Sequence, residues 1–318
     1  MPEPGGTVRL QPLVRARVAT LGDDGRAWAD ALPRVLATLC ARWSLRLGRA
    51  VPGGSASYLT TVRRADGTDA VLKVALPDED VAGHHAALRA ADGQGYVRVL
   101  EAAPELGALL LERLGPSLDH AGLGVETRLD ALATTLVRAW RAPDRPASDR
   151  AAALAADVRG YRVRTPDLVR PDVVEQALAY AAALSDPDPG ELVVVHGDPH
   201  PGNLLRVPYA RAGAETGWCF VDPDPCVADR AYDLGVAVRD FSATLLADPA
   251  TAEHRLRSWC RTVAAPSGTD PDRVWAWAFL TRVSTGLYVT SFGAPRVGGP
   301  FLRSAEVLAG RPRGAVIS

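Results

Sequence analysis

Residues 196–203 read HGDPHPGN, and they are the most informative segment of the chain. It supplies a carboxylate at Asp198 and an amide at Asn203, and a second carboxylate, Asp222, ends an apolar run downstream. A phosphoryl-transfer site uses one carboxylate to orient and deprotonate the attacking hydroxyl, and it uses an amide and a carboxylate to hold Mg²⁺ on the nucleotide. The spacing therefore predicts Asp198 as the catalytic base and Asn203 and Asp222 as the metal ligands.

A single lysine stands inside an apolar, strand-like run. Lys73 lies in the segment Val71–Val74, and every other basic position apart from histidine is an arginine. GC-rich coding can explain why lysine is scarce, but it does not explain where the one lysine stands. A compact ammonium is not replaced by the planar guanidinium fork, so we interpret Lys73 as a functional residue.

The composition is that of a globular protein without a strongly charged partner. The 318 residues are 47% hydrophobic with a formal net charge of −1, whereas nucleic-acid and membrane-surface partners require a basic patch. No apolar run reaches the roughly 18 residues of a membrane span, and the N-terminus lacks a signal-peptide pattern. A cytoplasmic location is expected, with four buried free thiols, although a redox or metal role for Cys219 and Cys226 stays open.

Hydrophobic periodicity divides the chain into a β-rich part and a helical part. Residues 1–20 are expected to form a loose arm, and a helix is predicted over about 25–43. We predict an α+β fold with two lobes. A small, β-rich, nucleotide-binding lobe covers residues 1–115, and a larger, mainly helical lobe for catalysis and substrate binding covers residues 116–318.

These motifs resemble a known family. The loop at 196–203, Asp222 and the segment Asp229–Leu234 are similar to the aminoglycoside phosphotransferase branch of the protein-kinase-like fold. The resemblance is closest to the subgroup of streptomycin 6-phosphotransferases and hydroxyurea phosphotransferases. It runs from about residue 24 to about residue 247 and fades in the last seventy or so residues. Segments outside the site that carry it are Gly25–Trp28, Ala41–Trp43, Arg64–Thr68, Gly95–Leu100 and Leu110–Leu114.

The resemblance implies ATP as the phosphoryl donor and Mg²⁺ as its metal. Lys73 would contact the α- and β-phosphates, a glycine-containing loop would cover the phosphates with backbone N–H groups, and the segment after the last strand would contact the adenine edge. The residues of that loop and that segment are Gly53, Gly54, Ser55, Glu112 and Leu114.

The resemblance also assigns roles around the motif loop. Asp198 would accept the proton of the substrate hydroxyl, and Asp233 would brace the loop rather than take part in the chemistry. His196 invites a role as nucleophile or proton shuttle, but a structural role that fixes the turn is favoured. A zinc site of His196, Asp198 and His200 is disfavoured, because the prolines and glycine of the loop prevent a helix that would place both histidines on one face.

Two departures from the kinase pattern are visible. Kinase-like sites pair the strand lysine with a helix glutamate. The aligned place here holds His85, so Glu79 or Asp80 would have to serve instead, or phosphate alone would orient the lysine. Asp222 is followed by Pro-Asp rather than Phe-Gly, which disfavours a protein kinase.

The C-terminal sequence bears on the acceptor. Aminoglycosides are polycations usually held by several carboxylates, but residues 275–308 contain Glu306 as their only acidic residue. A cationic acceptor would have to use carboxylates elsewhere, such as Asp240, Asp222 or Asp224, and hydroxyurea or another small hydroxyl compound fits at least as well.

We therefore predict an ATP- and Mg²⁺-dependent O-phosphotransferase that inactivates a small hydroxyl-bearing antibiotic, streptomycin-like or hydroxyurea, by in-line transfer of the γ-phosphoryl group. Two alternatives stay open. One is a kinase of a cellular metabolite such as a sugar or an amino alcohol. The other is a non-catalytic nucleotide-binding protein of the same fold, which has no need of a base at Asp198.

Overall fold

The computed structural model describes residues 8–51, 54, 56–165, 167–291 and 293–309. The chain divides into two compact units, the first ending at Gly115 and the second beginning at Pro116. Within the described ranges, no helix combines the length and the apolar character needed to cross a membrane. The four cysteines form no disulfide, and two of them are only partly buried, which corrects the expectation that all four are buried.

The first unit contains a five-stranded antiparallel sheet. Its strands are β1 (Arg46–Ala50), β2 (Ser57–Arg63), β3 (Asp69–Ala75), β4 (Val99–Ala103) and β5 (Ala108–Glu112). They pair in the order β1-β2-β3-β5-β4. The hairpin between β2 and β3 turns at Gly67, whose φ of +82° suits glycine. Lys73 therefore lies in the central strand, opposite Leu59 on β2 and Leu109 on β5.

Three helices complete the described part of the first unit, and one of them was not expected. They are α1 (Pro12–Thr20), α2 (Gly22–Trp43) and α3 (Val81–Ala91). α2 contains the segment 25–43, and it buries leucines at helical spacing against the sheet. The expectation of a loose arm over residues 1–20 is wrong for the described part, because α1 packs Val14 and Val18 against Leu76. Two buried positions one helical turn apart are too few to reveal a helix by periodicity.

The second unit is mainly helical. Its helices are α4 (Val125–Ala139), α5 (Arg150–Arg164), α6 (Pro171–Leu184), α7 (Arg230–Arg239), α8 (Ser242–Ala247), α9 (Ala252–Ala264), α10 (Pro271–Ser291) and α11 (Pro295–Leu308). α10 lies at the centre, in contact with α5, α6, α7, α9 and α11. Its residues from Val274 to Leu287 are buried apart from Thr285, which is partly exposed. A helix surrounded by other helices is apolar on all sides rather than along one stripe.

Two short strand pairs position the motif loop in the second unit. β6 (Leu192–Val194) pairs with β9 (Val227–Asp229), and β7 (Leu204–Arg206) pairs with β8 (Trp218–Phe220). The loop at 196–203 connects β6 to β7, and β9 runs directly into α7. These connections bring the loop, the turn after β8 and the start of α7 next to one another.

Candidate active site

The motif loop is fixed from behind by Asp233, a buried residue of α7. Its carboxylate accepts the backbone N–H groups of His196 at 2.7 Å and Gly197 at 2.9 Å, and also the indole N–H of Trp140 at 2.8 Å. Burial raises the pKa of Asp233 to about 6, although the three N–H donors oppose the shift. These three bonds are the contacts that a bracing role requires. The Asp233 side chain connects the start of the motif loop to α7 and to Trp140 at the end of α4.

Gly197 occupies a position that only glycine fits. Its φ is +91°, and a Cβ at this residue would lie 2.0 Å from the backbone oxygen of Asp224. The carbonyl of Gly197 accepts the hydroxyl of Tyr232 at 2.9 Å, and Arg150 donates to the same hydroxyl at 2.9 Å. The backbone just before Asp198 is therefore fixed by a close approach and by hydrogen bonds.

His196 is fully buried, and both of its ring nitrogens are hydrogen-bonded. Nε2 donates to the Val221 carbonyl at 3.0 Å, and Nδ1 accepts the N–H of Asp198 at 3.2 Å. The ring also packs on Phe220, with 4.7 Å between the ring centroids. Burial lowers the pKa of His196 to about 4, so the imidazole is neutral and carries its proton on Nε2. These bonds leave no nitrogen to ligate zinc, and no group of three or more candidate metal-ligating side chains occurs within the described ranges.

The three predicted chemical groups are brought together by the loop and by the β7–β8 pair. Leu204 pairs with Phe220, and the Val221 N–H donates to the Asn203 carbonyl at 2.9 Å, so Asp222 follows a residue that is bonded to Asn203. The amide Nδ2 of Asn203 donates to the backbone carbonyl of Asp198 at 3.1 Å. Since this bond uses the amide N–H group, a metal would be ligated by Oδ1 of Asn203. Asp222 has a φ of +53°, a conformation that aspartate tolerates better than most residues.

Arg239, which the sequence did not single out, contacts the predicted base. Its Nη2 lies 3.2 Å from Oδ1 of Asp198. Partial desolvation is the largest single effect and opposes the charge on Asp198, but the combined attraction of the neighbouring groups, Arg239 first among them, holds the pKa of this carboxyl below its usual range. Arginine is common in this chain, so a single arginine cannot be recognised from the sequence as a residue of the site. The only local sign is that Arg239 and Asp240 directly follow the apolar run Leu234–Val238.

The first unit contains the predicted nucleotide-binding residues. Lys73 is only 6% exposed within β3. Gly54 has a φ of +69°, whereas the predicted residues Gly53 and Ser55 lie outside the described residues. The N–H of Glu112 already donates to the Arg98 carbonyl at 3.0 Å. An adenine contact by that N–H is therefore excluded in this arrangement, and the following residues up to the buried Leu114 stay candidates.

The possible lysine partners lie near the start of α3. Asp80 is the N-cap of this helix, and its Oδ1 accepts the N–H of Gly83 at 2.9 Å. His85 is half-buried on α3, and burial lowers the pKa of its imidazole, which favours the neutral form. Asp80 therefore has a structural role, and a neutral His85 does not supply the negative charge of the usual glutamate.

Comparison with known proteins identifies relatives that match most of the chain. Residues 42–293 match the family described as aminoglycoside/hydroxyurea antibiotic resistance kinase. The chain is 32% identical over 309 residues to a hydroxyurea phosphotransferase from Kitasatospora aureofaciens, with 94% of this chain and 85% of the relative covered. It is 32% identical over 234 residues to a streptomycin 6-kinase from Streptomyces glaucescens, with 72% of this chain and 73% of the relative covered. Among solved structures, the choline kinase LicA from Streptococcus pneumoniae has a TM-score of 0.56 at 13% identity, with 87% of this chain and 99% of that chain covered.

Fold and relatives together define a small-molecule kinase with a protein-kinase-like fold. The chain belongs to the aminoglycoside/hydroxyurea antibiotic resistance kinase family. The predicted α+β, kinase-like fold and the predicted family are confirmed. The expectation that the resemblance fades after residue 247 is wrong, because the family match extends to residue 293. The added segment covers α9 and the whole of α10.

Proposed function

We propose that this protein is an ATP- and Mg²⁺-dependent O-phosphotransferase that inactivates a small hydroxyl-bearing antibiotic in the cytoplasm. One observation carries the proposal. Asp198, Asn203 and Asp222 stand on one loop and one strand pair, and the backbone between them is tied by the Asn203 bonds to Asp198 and Val221. A protein that only bound nucleotide would need neither the carboxylate at Asp198 nor a buried bracing network behind it.

In the proposed reaction, Asp198 orients the acceptor hydroxyl and receives its proton. The hydroxyl oxygen attacks the γ-phosphorus, the bond from that phosphorus to the β-bridging oxygen breaks, and ADP leaves with the electron pair. A carboxylate with a lowered pKa is a weak base, which suits a loose transition state where the proton moves late. Asp198 therefore acts mainly by aligning the hydroxyl, and it receives the proton late in the reaction. General-base assistance typically contributes about 10²–10⁴-fold to the rate.

The metal ligands that we propose are Oδ1 of Asn203 and the carboxylate of Asp222. The donor set fits Mg²⁺, which takes oxygen ligands, usually from one or two protein groups with phosphate and water completing the shell. Bound there, the ion would offset the negative charge of the phosphates. Asn203 and Asp222 hold their positions through the backbone bonds of the β7–β8 pair, so the ligands are fixed before the metal arrives.

The nucleotide contacts that we propose lie in the first unit. The ammonium of Lys73 would bind the α- and β-phosphates, and the loop around Gly54 would cover them with backbone N–H groups. Leu114 would contact the adenine edge through its backbone. The place of Lys73 in the central strand, where the backbone is held by β2 on one side and β5 on the other, supports this role.

The acceptor that we propose is small and carries little positive charge. Glu306 is the only acidic residue of α10 and α11 after Trp275, and its Oε1 accepts the backbone N–H of Arg170 at 3.2 Å. Asp240 could have bound a cation, but its Oδ1 lies 2.7 Å from Nε of Arg239. These two carboxylates are already bonded within the protein, which favours a hydroxyurea-like acceptor over a streptomycin-like one.

Mass spectrometry of reactions with Mg-ATP tests the proposal. The compound panel contains hydroxyurea, streptomycin, other aminoglycosides, simple sugars and amino alcohols. We expect one compound to gain the mass of one phosphate, and we expect Asp198→Ala to slow this gain by about 10²–10⁴-fold while ATP affinity stays within about threefold of wild type. Asp186→Ala is the matched control, because this carboxylate is exposed in the turn after α6 and should be dispensable. ATP binding without any phosphorylated compound would contradict the proposal, and a product from a sugar or an amino alcohol would indicate a metabolite kinase.

A further inference from the structure

Arg239 is a buried cation to which the proposed chemistry gives no role. It is the last residue of α7 and is 9% exposed. Its three guanidinium nitrogens have three partners: Nη2 contacts Oδ1 of Asp198 at 3.2 Å, Nε contacts Oδ1 of Asp240 at 2.7 Å, and Nη1 contacts Oγ1 of Thr285 at 3.1 Å. These partners lie on the motif loop, just after α7 and on α10. One side chain therefore links three parts of the second unit.

The base of this side chain is held as firmly as its tip. The carbonyl of Arg239 accepts hydrogen bonds from Oγ of Ser242 at 3.0 Å and from Nη2 of Arg282 at 3.2 Å. Arg282 is fully buried, so this support is shielded from water. The ring of Phe301 lies 5.8 Å from Cζ of Arg239. A planar fork that is fixed in advance loses little freedom when it binds a carboxylate, so it can set the direction of that carboxylate.

Asp198 is a residue that benefits from such a partner. Its side chain is 45% exposed, so packing restrains the carboxylate only in part. Oδ1 is bound to Arg239, whereas Oδ2 lies 3.7 Å from Nε2 of His200. A carboxylate that aligns an acceptor hydroxyl must present one oxygen in a constant direction, because misplacing a reacting group by about 1 Å can lower a rate about 10²-fold.

We propose that Arg239 is a positioning residue for the phosphoryl transfer. It binds Oδ1 of Asp198 and thereby presents Oδ2 to the acceptor hydroxyl, while Asp240 and Thr285 hold the guanidinium in place. Arg239 touches neither the acceptor nor the nucleotide, and no bond to it forms or breaks during the reaction. The inference rests on the proposed function and adds to it the residue that gives the base its orientation.

Steady-state kinetics of four variants test this role with the phosphorylated compound found in the panel. Arg239→Met keeps an apolar contact with Phe301 but removes the fork, and we expect kcat to fall about 10²-fold with the KM for ATP unchanged within about threefold. Arg239→Lys keeps the charge but has no fork to span three partners, so we expect an intermediate kcat. Arg138→Met is the control: Arg138 is 43% exposed, pairs with Glu215 at 2.9 Å, and should leave kcat within about twofold. The fourth variant is Asp198→Ala, and thermal unfolding of each variant shows that the folded enzyme is being compared.

A double-mutant cycle separates positioning from general support. If Arg239 acts through Asp198, adding Arg239→Met to Asp198→Ala lowers kcat no further. The inference would be overturned if Arg239→Met lowered kcat in the Asp198→Ala background by the same factor as in wild type. It would also be overturned if the kcat of Arg239→Met stayed within about threefold of wild type. Should Arg239→Met not fold, Arg239→Lys is judged by the same limit. Loss of activity in Asp198→Ala but not in the Arg239 variants would reject this inference alone. A wild-type protein that phosphorylates no compound would reject the proposed function and this inference together.

Discussion

Replacing Gly197 by alanine tests how rigidly the motif loop is held. The new methyl group would have to be accommodated at a φ of +91°, and its carbon would lie 2.0 Å from the backbone oxygen of Asp224. That oxygen cannot rotate away like the end of a side chain, because the Asp224 N–H donates to the His196 carbonyl at 2.7 Å. The turn after Asp222 and the motif loop must therefore move apart.

The expected destabilisation has two parts. The left-handed conformation costs alanine about 1–2 kcal/mol, and forcing extra volume into a packed site costs about 1–3 kcal/mol more. Gly217→Ala isolates the first part, since Gly217 has a φ of +79° and a Cβ added there would meet nothing within 4 Å. The difference between the two variants should then be about 2 kcal/mol.

Urea unfolding followed by tryptophan fluorescence measures this difference. Five of the seven tryptophans lie in the second unit, so the signal mainly reports that unit. With a slope of about 3 kcal/mol per molar urea, the midpoint of Gly197→Ala should lie about 0.7 M below that of Gly217→Ala. Coincident midpoints would refute the reasoning, because they would mean that the Asp224 turn yields freely and does not fix the loop.

Three further predictions concern buried or functional charges. The difference in unfolding free energy between wild type and His196→Asn should shrink by about 2 kcal/mol between pH 7 and pH 5. The pKa of His196 is about 4 in the folded protein and about 6.5 in the unfolded chain. Between those values only the unfolded chain binds the proton, so wild type loses stability as the pH falls. Urea titrations at both pH values check this, and an unchanged difference would contradict a buried neutral imidazole. Asp233→Asn should cost about 3 kcal/mol or more by calorimetry, because its amide N–H group would face backbone donors, whereas Asp186→Asn on the surface should cost almost nothing. Lys73→Arg should weaken ATP binding about tenfold or more in titration calorimetry, and wild-type affinity would contradict the role given to a point charge.

Local spacing was enough to predict the chemical groups of the candidate site. Asp198 and Asn203 belong to one loop, and Asp222 follows a strand that pairs directly after that loop. The hairpin at Gly67 is equally local, because Asp-Gly between two apolar runs is a turn signal typical of paired strands. In such cases the residues that interact are neighbours in sequence or are joined by one short connection.

Long-range partners could not be predicted in this way. Trp140 meets Asp233 across 93 residues, and Arg239 meets Asp198 across 41. Neither pair has a characteristic spacing, and arginine is too common in this chain to stand out. α1 was not predicted for a different reason. It is stabilised by the contacts of Val14 and Val18 with Leu76, and its own sequence has no repeating apolar pattern.

Because the motif loop is anchored by buried residues of α7, its anchoring also affects which substitutions this protein can accept during evolution. Every residue of α7 from Ala231 to Arg239 is buried, so the accuracy of the loop depends on positions where few substitutions are tolerated. By contrast, α10 and α11 carry exposed residues near their adjoining ends, such as Tyr288 at 43% and Val297 at 59% exposure. Substitutions there leave the buried supports of the loop intact. We expect such positions to be where relatives of this enzyme diverge in the compounds that they accept, while the catalytic loop itself stays the same.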